Sequence, residues 1–395
     1  MKNANLKIYI KRAAGLFVLC AVIFSCAAAV SCGTDGSKKE ASPVVMTLNY
    51  GKNTTTLTSD IYSYYLAYMK TSLLYSWYNL DKDDPEIWEE EYTGGEPDIK
   101  TVGDYAKKEA EASLKSLLAA AAYCKDKKIE LSQEQLNTID EEMKTLLSDE
   151  KYGKSKAKLN DVLGRFNMDY DTLREIKKYD ALKGAMVDYL FGTDTGVGKI
   201  SITDSMMNQI YKRECVRVKH ILVTYPGTYD ADGNYEEYSE EKLEEQAAKA
   251  QDIYDRITLG GEDFDSLLHE SEDPGGISYP DGYTLSRNSS YMPEFLEAAF
   301  EMEIGDVKIA QTEYGFHIMK RYALIAAANS IDIDSSNLWG TEVYWRDSIY
   351  MDIQNEKILE ELQPYLDKIK ILTEETDLIS VTSSDVMFDC LEITR

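Results

Sequence analysis

Histidine, cysteine, proline and positive charge are all scarce in this chain of 395 residues. It holds three histidines, six cysteines and eight prolines, and 43 Lys and Arg face 70 Asp and Glu, a formal charge of −27. So acidic a chain repels phosphate backbones and anionic lipid heads, which excludes nucleic acid as a partner and excludes docking on an acidic membrane except through lipid. Three of the cysteines fall in the first 32 residues; the others, Cys124, Cys215 and Cys390, are odd in number and have no metal-like spacing. Neither a disulfide framework nor a zinc site is expected from them, and no metal or cofactor is implied. Cys124, within an Ala-Leu run, reads as a small buried side chain. Beyond Val30 no apolar run approaches the ~20 residues that span a bilayer, so the remainder is expected to be soluble.

The amino terminus reads as a processing signal. Lys2, Lys7, Lys11 and Arg12 precede an apolar run from Ala13 to Val30, the order that a secretory signal requires. Ala29-Val30-Ser31-Cys32-Gly33 resembles a bacterial lipobox, which would leave Cys32 lipidated at the start of the mature chain. Ile23-Phe24-Ser25-Cys26 competes, but Phe24 is bulky for its place. An uncleaved anchor and a plain secreted protein are the other readings. Gly33 to Pro43 reads as a flexible tether.

Length alone suggests two or three domains. Val44 to Leu57 reads as two strands about a turn at Gly51-Lys52-Asn53. A tyrosine-rich helix follows from Ser59, with Ile61, Tyr64, Tyr65, Tyr68, Leu73 and Trp77 near helical spacing. That stripe is a core face or an exposed surface for unfolded chains, and the core reading has the better odds. After an acidic loop from Tyr78 to Lys100, periodicity predicts helices over Val102 to Lys127, from Ser132 with Gln135 in capping-box position, over Leu159 to Phe166 and over Asp171 to Phe191. Thr203 should cap a helix from Asp204 to Arg213. Near the carboxyl end, Ala327 to Asn337 reads as a polar linker, Glu342 to Ile369 as a long helix and Ile379 to Val386 as a strand.

Two of the three histidines lie in short strands. In Val216 to Leu222, period two puts His220 on the face of Val216, Val218 and Leu222; in Tyr314 to Lys320, His317 alternates with Phe316 and Ile318. Between them, Ser239 to Thr258 reads as a helix stopped by Gly260-Gly261, Phe264 to Leu268 as a second short helix, and Pro293 as the first turn of a third.

In order, Val-Lys-His-Ile-Leu-Val (218–223), Gly-Gly-Glu-Asp-Phe (260–264), Ser-Glu-Asp-Pro-Gly (271–275), Gly-Tyr-Thr-Leu (282–285), Pro-Glu-Phe-Leu-Glu-Ala-Ala-Phe (293–300), Ile-Gly-Asp-Val (304–307) and Tyr-Gly-Phe-His-Ile-Met-Lys (314–320) resemble the parvulin-type peptidyl-prolyl isomerase domain of secreted foldases of the PrsA and SurA kind. The resemblance implies an α+β protein. Residues 214–324 would be a parvulin domain, a four-stranded antiparallel sheet surrounded by helices. Residues 44–213 would form a mostly helical chaperone domain on which a carboxyl-terminal segment, 325–395, packs; 1–31 would be the signal and 32–43 the tether.

It also implies roles. His220 and His317 would be the paired imidazoles of the centre, Asp273 would stand near the substrate carbonyl, and the Thr312 hydroxyl would join their network. Leu285, Tyr291, Phe295 and Phe300 would line a proline slot. Tyr291 stands where the family carries Met, and Asn288-Ser289-Ser290 is one residue longer than the common turn and lacks its glycine, so pocket shape stays open. Family members that prefer phosphorylated Ser-Pro or Thr-Pro carry a basic cluster after the first strand. Tyr229 to Glu241 has six carboxylates and no Lys or Arg, so no phospho-specificity is expected. Asp230-Ala-Asp232-Gly-Asn234 also hints at a calcium loop, but its glycine falls at position four rather than six. His269 has no motif around it and reads as a surface residue.

The implied function is a lipid-anchored, extracytoplasmic isomerase and chaperone for unfolded exported polypeptides with X-Pro bonds. The rival is a holding chaperone with an idle parvulin lobe; a solute-binding lipoprotein would need two βα lobes, which the helical runs do not supply. Pairing of two chains through the tyrosine-rich helices stays open.

Overall fold

The structure is a computed structural model that describes residues 42–372 apart from 77–85, 95, 165–167, 193–195, 226–227, 230–234, 237–238, 274 and 276–278. The signal and Cys32, the tether to residue 41, Trp77 and the following part of the acidic loop, Asp230 to Asn234, Cys390 and the strand expected over Ile379 to Val386 lie outside the described residues. Contacts divide the chain into two compact units, one from residues up to Ser201 together with those from Asn355, the other Ile202–Gln354.

In the first unit, β1 (Val44–Tyr50) and β2 (Asn53–Thr58) form the expected hairpin, and β9 (Ile369–Ile371) pairs antiparallel on the other side of β1, giving the order β2-β1-β9. Helices α1 (Ser59–Ser76), α2 (Val102–Lys127), α3 (Gln133–Ser148), α4 (Lys156–Leu163) and α5 (Tyr170–Phe191) follow. Both capping boxes close, Thr101 with Asp104 and Ser132 with Gln135, each satisfying amides that the first helical turn leaves without a partner. From Leu117 to Cys124 every residue of α2 is buried, so this helix is the axis of the unit rather than an amphipathic cover. Of the stripe expected in α1, Ile61, Tyr64 and Leu73 are buried in the core while Tyr65 and Tyr68 are half-buried; Tyr62, outside that stripe, is fully buried and its hydroxyl reaches Glu111 at 3.0 Å. Among the described residues no helix is long and apolar enough to cross a membrane.

In the second unit, α6 (Asp204–Glu214) runs directly into β3 (Cys215–Thr224). Two antiparallel strands of two residues each, β4 (Thr228–Tyr229) and β5 (Tyr235–Glu236), precede α7 (Glu240–Thr258) and a 3₁₀ helix over Phe264–Glu270, which leaves His269 exposed. Then come β6 (Tyr283–Ser286), α8 (Pro293–Glu301), β7 (Val307–Thr312) and β8 (Gly315–Tyr322). The expected antiparallel sheet forms in the order β6-β3-β8-β7.

Alternation splits its side chains between two apolar layers. Ile221, Val223 and Ile318 pack with Phe264, Ala250 and Ile253, whereas Val216, Val218, Leu285, Ala310 and Met319 pack with Phe295, Ala298 and Ala299 of α8 and with Met302 just past its end. Spacing of i, i+3, i+4 and i+7 gives α8 a single face for the sheet. Gly315 makes the last hairpin feasible: its φ is +144°, and a Cβ there would lie 2.2 Å from the Val223 carbonyl oxygen.

The stretch read as a polar linker is ordered. Ala327–Asn329 is a 3₁₀ turn and Ile333–Trp339 is a helix, α9, followed by α10 (Trp345–Leu366). The Asp332 carboxylate accepts the Ser335 amide, and Gly340 ends α9 in the left-handed region. The apolar residues of this stretch are too few and too irregular to announce a helix; the cap starts it. Free thiols Cys124 and Cys215 are both buried, and burial pushes each up to about 12.

Candidate active site

β3 and β8 pair so that Leu222 stands opposite His317 and His220 opposite Met319. Cross-strand partners share a face, so both imidazoles emerge on the α8 side as diagonal neighbours. Their Nδ1 atoms are 3.0 Å apart. On one side His220 Nε2 lies 2.9 Å from Asp273 Oδ2; on the other, Thr312 Oγ1, at the end of β7, lies 2.8 Å from His317 Nε2. Residues from three strands and one loop, spread over a hundred positions of sequence, thus form one chain of hydrogen bonds.

Asp273 reaches the sheet because its loop is stitched to β3. Ser271 Oγ accepts the amides of Leu222 at 3.0 Å and of Asp273 at 3.2 Å, and the Glu272 amide donates to the Leu222 carbonyl at 2.9 Å. The carboxylate then accepts the Tyr283 hydroxyl at 2.6 Å and the Gly275 amide at 3.0 Å. Burial by itself would raise its pKa; the hydrogen bonds from His220 and Tyr283 and the His220 charge outweigh that and hold Asp273 well below the usual carboxylate range. His317 is 3 % exposed, and burial first, then repulsion from His220, pushes it down to about 3 against the pull of Asp273.

These protonation states orient the chain. Ionised Asp273 accepts, so His220 carries its proton on Nε2 when neutral and presents Nδ1 as an acceptor. His317 must then donate from Nδ1 and accept at Nε2 from the Thr312 hydroxyl, whose oxygen accepts the Tyr314 amide at 3.2 Å. Each donor meets an acceptor, as burial demands.

The pair lies against an aromatic wall. The Phe295 ring meets His220 and His317 edge to face, with centroids 5.2 and 5.1 Å away, and Tyr291 stacks on Phe295 at 5.6 Å. Tyr283 touches Tyr291 edge to face at 5.8 Å. Leu285 is fully buried in the same layer. Phe300 is half-buried at the border of that layer, and its ring lies 4.3 Å beneath the Arg287 guanidinium rather than against the imidazoles. The structure therefore gathers His220, Asp273, His317 and Thr312 into one network, sets Phe295 and Tyr291 beside it, and places Phe300 at the border of the same apolar layer.

Tyr283 belongs to the network although the sequence reading gave it no role. Period two contained the signal: Tyr283 pairs with Val218 and Leu285 with Val216, so Tyr283 had to face the same way as His220.

Comparison with known proteins defines the class. Residues 204–323 match the family model of the PPIC-type PPIase domain, and this part of the chain is a parvulin-type peptidyl-prolyl isomerase domain. Beyond this domain the chain is similar to the foldase protein PrsA of Caldanaerobacter subterraneus, 27 % identical over 326 residues that cover 78 % of this chain and 82 % of that protein. A second relative, the chaperone SurA of Pseudomonas syringae, is 31 % identical over 165 residues, 41 % of this chain but 33 % of that protein. Among solved structures, PrsA from Bacillus cereus is 20 % identical over 75 % of this chain and 95 % of that one, with a TM-score of 0.29.

Proposed function

We propose that the protein isomerises X-Pro bonds in unfolded exported polypeptides, with His220, Asp273, His317 and Thr312 as its centre and Phe295, Tyr291 and Leu285 as the proline slot. The observation that carries this reading is a fully satisfied, oriented hydrogen-bond chain lying directly beneath an apolar wall. Isomerisation breaks no covalent bond; it must lower a barrier of ~18–20 kcal/mol that comes from amide resonance. The planar amide is dipolar, with negative charge on its oxygen, and a dry slot disfavours that form relative to the twisted one. The Asp273 carboxylate, held ionised near the carbonyl, disfavours it further. His220 and His317 fix the carboxylate in place, and no nucleophile is needed. With no basic cluster after β3, the substrate is an unphosphorylated X-Pro segment.

Around this centre we assign residues 44–213 and 325–395 to a chaperone domain that holds the client and 214–324 to the isomerase. The grouping of residues up to Ser201 with those from Asn355 supports one helical unit drawn from both ends of the chain, although residues 202–213 and 325–354 group with the isomerase. Cys32 is the proposed lipid attachment point, on the outer face of the cytoplasmic membrane.

The test is refolding of a client limited by a slow X-Pro step, an event that takes tens of seconds unaided. The protein from residue 33 onward should accelerate that phase, and His220→Ala should not, while both suppress aggregation of the unfolded client. Equal acceleration by the variant would remove His220 from the centre; no acceleration by either would leave only the holding activity.

A further inference from the structure

The aromatic wall is braced from outside the matched domain. Both carboxylate oxygens of Asp334, in α9, accept the Ser290 amide at 3.2 Å. Ser290 immediately precedes Tyr291, the ring stacked on Phe295. One residue before Asp334, Ile333 packs against the same apolar layer as Phe295 and Leu285. The segment is pinned elsewhere as well: Ser330 donates to Thr284 at 2.7 Å in a buried contact beside Leu285, and the buried Asp332 accepts the hydroxyls of Ser335 at 2.6 Å and Ser348 at 2.7 Å. Residues 330–334 thus lie along β6 and the β6–α8 turn, beyond residue 323 where the family match ends.

We infer that Asp334 is a positioning residue for the proline slot, acting through the Ser290 amide to set the place of the Tyr291 ring. Within the glycine-free turn the Ser289 and Asn288 amides donate back to Ser286, whereas the Ser290 amide is taken by Asp334 from outside the turn. Tyr291 registers the neighbour electrostatically, since after burial the Asp334 charge is the next cause raising its phenol, ahead of Asp273. An element that fixes one slot wall contributes equally to ground-state and transition-state binding, so its loss should appear in KM rather than kcat.

This inference rests on the isomerase reading, and a double-mutant cycle in the full-length protein separates the two. Asp334→Ala should raise KM for an unphosphorylated X-Pro peptide about fivefold with kcat within about twofold, and Asp334→Asn, which keeps an acceptor for Ser290, should stay within about twofold of the parent. In a Tyr291→Ala background the Asp334→Ala step should change KM by less than about 1.5-fold, the non-additivity expected of one unit. The dissociation constant of the same peptide, read from NMR titration, should follow the same cycle. Full additivity, or an unchanged KM and dissociation constant in Asp334→Ala, would overturn the inference. A parent that binds the peptide without isomerising it would refute the isomerase reading while the binding cycle still decides the role of Asp334.

Discussion

Phe295→Ala is expected to abolish isomerase activity and to destabilise the Ile202–Gln354 unit by about 3–5 kcal/mol, the usual cost of truncating a buried phenylalanine. The ring is 1 % exposed, closes the apolar layer between α8 and the sheet, and touches both imidazoles. Stability and function therefore meet in one side chain. Because a loss of that size can unfold a domain, Phe295→Leu is the informative partner. It fills most of the volume, should cost no more than about 1.5 kcal/mol, and should still lose activity about tenfold, equivalent to ~1.4 kcal/mol of transition-state stabilisation, because the flat wall for the pyrrolidine ring is gone. Thermal melts and peptide kinetics on both variants check the pair; a Phe295→Leu enzyme as fast as the parent would take Phe295 out of the slot.

The second large effect is a dependence on pH through His317. Its folded pKa is about 3, against 6.5 for the free imidazole. A group depressed on folding gives its full stability above the unfolded value and loses it as pH falls toward the folded one. The loss should therefore begin near pH 6.5 and continue to about pH 3, reaching about 2 kcal/mol at pH 5. Amide exchange at Ile221 and Ile318, in the two strands that carry the histidines, reads the stability of this unit without requiring the whole chain to unfold together. Between pH 7 and pH 5 the protein should lose about 2 kcal/mol more than His317→Gln, since the glutamine has no proton to gain. Parallel losses would mean that His317 is not held neutral by its surroundings.

Much of this site could be read before any coordinates. Period two put His220 on the apolar face of its strand, and three histidines in 395 residues made two of them in adjacent strands conspicuous. The starts of α3 and α6 were legible from their caps, because a cap is a local bargain between one side chain and two or three amides, whereas α2 was legible from its apolar spacing and the end of α7 from its glycine pair. Asp273 was different. It sits in a loop with no period, 53 positions from His220, and only family resemblance pointed to it; what brings it to the sheet is a set of amide contacts from Ser271 and Glu272 that no local pattern encodes. Asp334 was hidden for a further reason. Ile331 to Asn337 has only two apolar residues among short polar ones, which read as linker, and the contact with Ser290 spans 44 positions. Helical spacing from Phe295 carries Ala298 and Ala299 onto the sheet and leaves Phe300 at the border of that layer, with Arg287 over its ring.

The most direct test of the central proposal is exchange NMR on a short unphosphorylated X-Pro peptide with catalytic amounts of the protein from residue 33 onward. Cross-peaks between cis and trans resonances should appear on a sub-second mixing time, where the free peptide, exchanging over tens of seconds, shows none. They should weaken strongly in Asp273→Ala and in His220→Ala. A parent protein that binds the peptide yet yields no exchange cross-peaks would contradict the account and leave a domain that grips proline segments without turning them.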